Sequence, residues 1–246
     1  LEFGDVGGTL KNCAYAVKRS YYTQAQAHVA MENHSCFAYT DLQDRLVVVS
    51  STQVPFHVRR IIAHTLDIPI ERVRVIKPRI GGGYGCKQAI HGEVIASLVA
   101  LRTKKAAKLV YTRSEVFKAG YTRHGMRIDV GLGADSEGNI KAIDMEVLSD
   151  TGAYGEHALT VFMGAGSKTL PLYNKAAAVR FSGKAVYTNH TPAGAFRGYG
   201  AVQGNFALES AIDELAEKLG MDPMKFRMKN MIAEGETSPV FKLMGE

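Results

Sequence analysis

The chain is predicted to fold as an α+β protein with mixed and antiparallel strands and packed helices. Three observations lead there. β-branched runs alternate with amphipathic helical stretches, yet no strict βαβ repeat emerges. Residues 126–150 read as an antiparallel hairpin, two alternating runs joined by "DSEGN". The chain has 246 residues, 46 % hydrophobic and 22 % charged, the composition of an ordinary globular protein with a core.

The elements follow in order. "RLVVVSS" (45–51) is β-branched and predicts a buried strand. "TQVPFHVRRIIAHTL" (52–66) predicts a helix with Pro55 in its first turn. Val54, Val58, Ile61, Ile62 and Leu66 share one of its faces. "DIP" ends it, and "RVRVIK" (72–77) predicts another strand. A glycine loop, "RIGGGYGCKQ" (79–88), comes next. Residues 88–103 predict a helix with Ile90, Val94, Ile95, Leu98 and Leu101 in phase. Residues 108–113 predict a short strand, and 178–190 a strand or a second hairpin around Ser182 and Gly183. The stretch 202–220 is a helix lined by Leu208, Ile212, Leu215 and Leu219 and stopped by Gly220. Asp222 caps a last helix with Pro223 in its first position. No linker divides this pattern, so residues 25–246 are expected to form one domain after a lead-in of 1–24. The opening on Leu1 rather than Met is read as a fragment of a larger protein.

Composition excludes several classes. No apolar stretch approaches the ~20 residues of a membrane-spanning helix. The +6 net charge is scattered, and there is no tryptophan and no aromatic-interleaved basic stripe, which argues against nucleic acid. Cys13, Cys36 and Cys86 are odd in number and widely spaced. They argue against a disulfide framework, fit a reducing cytoplasm, and cannot by themselves hold a four-thiolate iron–sulfur cluster. The eight histidines show no zinc spacing, and no serine-nucleophile elbow is present. No metal ligand is assigned.

Three stretches could carry chemistry. The glycine loop lies between a strand and a helix, where backbone amides can meet an anion. It fits neither the Walker nor the dinucleotide pattern: Lys87 follows Cys86, and Gly81 and Gly83 lead to Cys86 and Gln88. A structural glycine turn remains an alternative reading of the loop alone. "AGAFRGYG" (193–200) surrounds Phe196, Arg197 and Tyr199 with small residues before a helix. Its arginine offers a planar fork of donors, or is a surface arginine in a turn. In "SSTQVP" (50–55), Gln53 enters a helix from a strand end and could donate to a ligand oxygen.

In this order and spacing the stretches resemble the first molybdenum-cofactor-binding domain of the xanthine oxidase family of molybdenum hydroxylases. The likeness covers "STQVP", "VIKPRIGGGYGCKQ", "YTRHG", "LSDTGAY", "AGAFRGYG" and "DPMKFRMKNMIAEGE", and is closest to the molybdenum-binding subunit of bacterial xanthine dehydrogenases. It implies a molybdenum–molybdopterin cofactor, a cytosine dinucleotide form included. Gln53, Gly82, Gly83, Tyr84, Gly85, Phe196 and Arg197 would contact that cofactor, and Gln88 and Tyr199 would face the substrate. The implied activity is hydroxylation of a purine or related N-heterocycle with water as oxygen source. Iron–sulfur and FAD components would sit on partner domains or subunits. The general base, a glutamate in a second molybdopterin-binding domain, lies beyond this chain, so no catalytic residue is assigned here. The isolated chain is therefore expected to be silent.

Two departures weaken the substrate assignment. Animal xanthine oxidases carry a glutamate where Gln88 stands, and an arginine close to Gly164. An aldehyde oxidase-like enzyme and an inert fragment are the alternatives. The carbon monoxide dehydrogenase branch is disfavoured, because it has a cysteine where Gly198 follows Arg197.

Overall fold

A computed structural model describes residues 1–240. They fall into two compact units. The first comprises residues 1–25, 124–189 and from 198 onward, the second residues 26–123 and 190–197. The first 24 residues, set apart in the sequence as a lead-in, supply a two-residue strand, a helix and a nine-residue strand of the first unit.

The first unit is built on a five-stranded sheet in the order Glu2–Phe3, Ala178–Val186, Ile140–Asp150, Met126–Ala134, Tyr15–Thr23. Its centre is the expected hairpin, with Met145 opposite Val130 and Val147 opposite Ile128. In the hairpin turn the Asp135 carboxylate accepts from the N–H groups of Glu137 and Asn139. Alternate residues face a core of Ile128, Val130, Leu132, Ile143, Met145 and Val147, all fully buried. The helix Ala201–Leu219 presents Leu208, Ile212 and Leu215 to the same core, as its periodicity requires. Gly220 closes it at φ +67°, the left-handed conformation that a side chain disfavours. Asp222 caps the next helix, Pro223–Asn230, by accepting from the Lys225 N–H. Residues 178–190 hold no second hairpin. Ala178–Val186 is one strand running parallel to Ile140–Asp150, with the helix Ala158–Ser167 in the crossover. The sequence reading assigned no element to that helix, whose glycines and small residues mute its periodicity.

The second unit carries a four-stranded sheet in the order Val73–Ile76, Leu46–Ser50, Ser35–Thr40, Ala107–Val110. Leu46–Ser50 and Val73–Ile76 are parallel, and the helix Pro55–Thr65 makes the crossover. The helix expected over 88–103 starts only at Glu93, because Ala89 is extended and residues 86–88 form a separate 3₁₀ turn. Its buried face also differs from the expected one. Glu93, Ala96, Ser97 and Ala100 are buried, whereas Ile95 and Leu98 are exposed. The Glu93 carboxylate accepts from the Ser50 hydroxyl at 2.7 Å and from the His91 N–H at 2.8 Å. Those bonds set the helix rotation, and the small residues allow close approach to the sheet. Residues 111–113 leave the strand and begin the helix Arg113–Ala119 through a full capping box of Thr112 and Glu115. A two-stranded ribbon pairs Gln26–Ala27 with Thr122–Arg123.

A backbone cradle at the glycine loop

Residues 81–88 leave the strand Val73–Ile76 and are tied down at several points. Glu32 holds the start: its N–H donates to Gly81 O at 3.0 Å, and its carboxylate accepts from the Gly81 N–H at 2.7 Å. Lys87, with only 1 % of its side chain exposed, donates from Nζ to the same carboxylate oxygen at 2.6 Å. Burial pushes the Glu32 carboxyl up, and the Lys87 ammonium and Gly81 N–H together hold it below its ordinary range. The Lys87 carbonyl accepts from Gln53 N–H at 2.8 Å.

Gln53 and the glycines meet directly. The Gly85 N–H donates to Gln53 Oε1 at 2.9 Å, which fixes the amide orientation and turns the two-proton Nε2 donor away from that contact. A Cβ at Gly83 would strike Gln53 Oε1. A Cβ at Gly85 would strike the Ala195 carbonyl, and its φ of +111° already favours glycine. The loop lacks side chains here because two other segments of the same unit press against it. One is the entry to the helix Pro55–Thr65, and the other is the segment 193–197. The Arg197 N–H donates to the Tyr84 carbonyl at 2.8 Å.

The structure thus joins Gln53, Gly82, Gly83, Tyr84, Gly85, Phe196 and Arg197 in one unit. Among the described residues, the N–H groups of Gly82, Gly83 and Tyr84 donate to no protein acceptor. Gly82 and Tyr84 both have positive φ, at +90° and +53°, a geometry in which consecutive amides can converge on an anion. Arg197 is exposed, and its guanidinium meets no acid among the described residues. Gln88 ends the 3₁₀ turn Cys86–Gln88, half-buried, its N–H on Gly85 O at 2.9 Å.

Tyr199 belongs to the first unit. Its backbone is left-handed at φ +42°, its ring meets His157 edge-on at 5.5 Å, and it packs on that unit's core. Gly164 lies against it so tightly that a Cβ there would strike the Tyr199 carbonyl. That contact gives Gly164 a packing reason of its own.

Sequence reasoning missed four residues that hold the cradle: His28, Glu32, Lys87 and Arg123. Arg123 lay inside the "YTRHG" stretch, but nothing local marked its role. Glu32 and Lys87 bond each other across 55 positions and His28 reaches Ala195 across 167, beyond any spacing rule. Burial drives the Cys36 thiol pKa up to about 12 and also raises that of Cys86. Among the described residues, no three His, Cys, Asp or Glu side chains gather as metal ligands. No described helix is long and apolar enough to cross a membrane.

Unpaired loop amides, an oriented glutamine and an exposed arginine define a class of site, one suited to an oxygen-rich anionic group. The donor set fits molybdopterin: it is rich in N–H groups, and Glu32 is engaged by Lys87 and Gly81. Residues 1–231 match the model of the molybdopterin cofactor-binding domain, and the chain belongs to that family. Over 241 residues it is 40 % identical to the putative xanthine dehydrogenase molybdenum-binding subunit of Escherichia coli K12, covering 98 % of this chain and 32 % of that protein. It is 35 % identical to the nicotinate dehydrogenase large molybdopterin subunit of Eubacterium barkeri, over 94 % of this chain and 54 % of that one. The aldehyde oxidoreductase structure from Desulfovibrio gigas superposes with a TM-score of 0.89 at 30 % identity, over 96 % of this chain and 26 % of that one. The recognition made from the motifs, of the xanthine oxidase family of molybdenum hydroxylases, is borne out. The chain spans about a third of the length of the xanthine dehydrogenase subunit it matches.

Proposed function

We propose that the chain forms the molybdopterin-gripping part of an oxidoreductase that hydroxylates a purine or related N-heterocycle, with water as oxygen source. The observation that carries this reading is the cradle of unpaired N–H groups at Gly82, Gly83 and Tyr84 beside Gln53 and Arg197. Fixed donors of this kind stabilise negative charge without reorganising. When bound, the cofactor supplies the redox and oxygen-transfer chemistry, while the protein binds and orients. Gln53 Nε2 and the three amides would hold its oxygens, and Arg197 would neutralise its anionic charge. Phe196, next to Arg197 in the chain, is held by His28 and Arg123. A cytosine dinucleotide form would add phosphates, which the cationic excess of the second unit suits.

Gln88 and Tyr199 are proposed to face the substrate. A glutamine there recognises by neutral hydrogen bonds, and the tyrosine offers a flat stacking surface. The general base, iron–sulfur and FAD components are proposed to lie on other domains or subunits, and the enzyme in the cytoplasm. An aldehyde-oxidising enzyme is the second reading. The neutral Gln88 and the small Gly164 leave the choice between these substrates to experiment.

The test is molybdenum and pterin quantification, then dye-coupled turnover of xanthine, hypoxanthine, nicotinate and an aromatic aldehyde. The full-length protein should be loaded and prefer an N-heterocycle, whereas the isolated 246-residue chain should be silent. A full-length protein free of molybdenum would sink the assignment. A loaded enzyme preferring the aldehyde would select the second reading. Tyr199→Ala should lower turnover of flat substrates about tenfold, since stacking is worth roughly 0.5–1.5 kcal/mol beyond burial.

A further inference from the structure

The segment 192–197 has almost no regular structure, yet it is held at every turn. Thr122 N–H donates to the Pro192 carbonyl at 3.1 Å, and Gly194 N–H to the Thr122 carbonyl at 2.9 Å. His28 Nε2 bonds the Ala195 carbonyl at 2.7 Å, and Arg197 N–H reaches Tyr84 O at 2.8 Å. Arg123 completes the set by donating from Nη2 to the Arg197 carbonyl at 3.0 Å.

The Phe196 ring is gripped as well. His28 stacks on it at 3.9 Å with planes 20° apart, and Arg123 Cζ lies 3.9 Å from the same centroid. Two groups cannot occupy one face at that distance, so imidazole and guanidinium sandwich the ring. Both peptide groups flanking Arg197 are thereby fixed, one through Tyr84 and one through Arg123. The direction in which the Arg197 side chain leaves the backbone is set by these contacts.

We propose that Arg123 is a positioning residue for Arg197, acting through the Phe196 ring and the Arg197 carbonyl; this rests on the molybdopterin reading above. A guanidinium is flat and carries several donors, so it can stack and donate at once. An ammonium has three donors but no plane, so it cannot lie flat on the ring and donate to the carbonyl in the same geometry. Retaining the charge alone is therefore insufficient.

The experiment uses the full-length enzyme with Arg123→Lys, Arg123→Ala, Phe196→Leu and the Arg123→Lys/Phe196→Leu double variant. It reads molybdenum and pterin per chain after gel filtration, then kcat and KM separately. Arg123→Lys should lose several-fold in cofactor occupancy while keeping its circular dichroism spectrum. In loaded molecules kcat should fall about tenfold with KM little changed. Adding Phe196→Leu should cost nothing further, because both changes break one device. Methylguanidinium should restore occupancy to Arg123→Ala, and methylammonium should not. If Arg123→Lys fails to fold, Phe196→Leu carries the same occupancy comparison. A fully loaded, fully active Arg123→Lys, additive effects of the two substitutions, or full occupancy in a folded Phe196→Leu overturns this inference alone. Wild-type enzyme without molybdenum and pterin overturns the functional reading, and this inference with it.

Discussion

The two units carry opposite charge. The second holds 16 of the 30 Lys and Arg residues and 7 of the 24 Asp and Glu residues, a formal +9, and leaves the first unit at −3. The modest overall +6 hides this division. The acids of the second unit are also largely engaged in structure: Glu32 with Lys87 and Gly81, Asp41 with Arg45, Asp44 with Arg72, Glu93 with Ser50, Glu115 in a capping box. Its cations are left in excess, which makes it a body suited to anions. Both units close an apolar core under a sheet, the first a larger one on longer strands and the second a smaller one that includes Val48, Val58 and Ile62. The comparison teaches that units held by similar apolar cores can carry opposite net charge, because surface charge is set independently of the core.

Cutting the apolar core of the first unit should have the largest effect. Leu208→Ala removes a fully buried side chain, and large-to-small changes of this kind cost roughly 2–5 kcal/mol. Urea unfolding should show it as a lowered midpoint with an unchanged slope. An effect under about 1 kcal/mol would mean that the core repacks.

The matching cut in the second unit is Glu32→Gln, which leaves the Lys87 ammonium buried without its carboxylate. Breaking a buried pair costs about 3–5 kcal/mol, and the one-third exposure of Glu32 brings the expectation down to about 2. The sign with pH follows from the lowered carboxyl. The pair contributes above the ordinary carboxylate range and is lost as pH falls through the depressed folded value. Glu32→Gln should therefore flatten the acid limb of the stability curve. An unaltered limb would show that the pair contributes nothing.

His34 sharpens the same contrast at milder pH. Burial, then the neighbouring His91 and Lys87, lower it from 6.5 to about 3. A group neutral in the fold and protonated in the unfolded chain contributes fully above 6.5, and its contribution falls away between 6.5 and about 3. His34→Gln should remove that slope from stability measured between pH 7 and 4.5. The smallest expected change is Thr112→Ala. It removes a capping box for about 1 kcal/mol and should leave molybdenum content untouched.

Local physics made much of this legible in the amino-acid order. Alternation over 126–150 specified the hairpin, and leucines at helical spacing specified the helix Ala201–Leu219. Gly220, Asp222 and Pro223 marked their boundaries, because left-handed backbone, a capping carboxylate and a missing N–H act within one turn. The motif residues were visible too, as glycines, a glutamine and an arginine at strand and helix ends. The chain order alone could not decide which atoms the glycines make room for. Only the tertiary structure brings Gln53 against Gly83 and Ala195 against Gly85. It alone rotates the helix Glu93–Thr103 by bonding Glu93 to Ser50, and turns 178–186 into a parallel strand. It alone pairs Glu32 with Lys87 and lays Arg123 on Phe196. Such contacts join residues 30 to 70 or more positions apart, and their free energy depends on distance in space, to which sequence periodicity is blind.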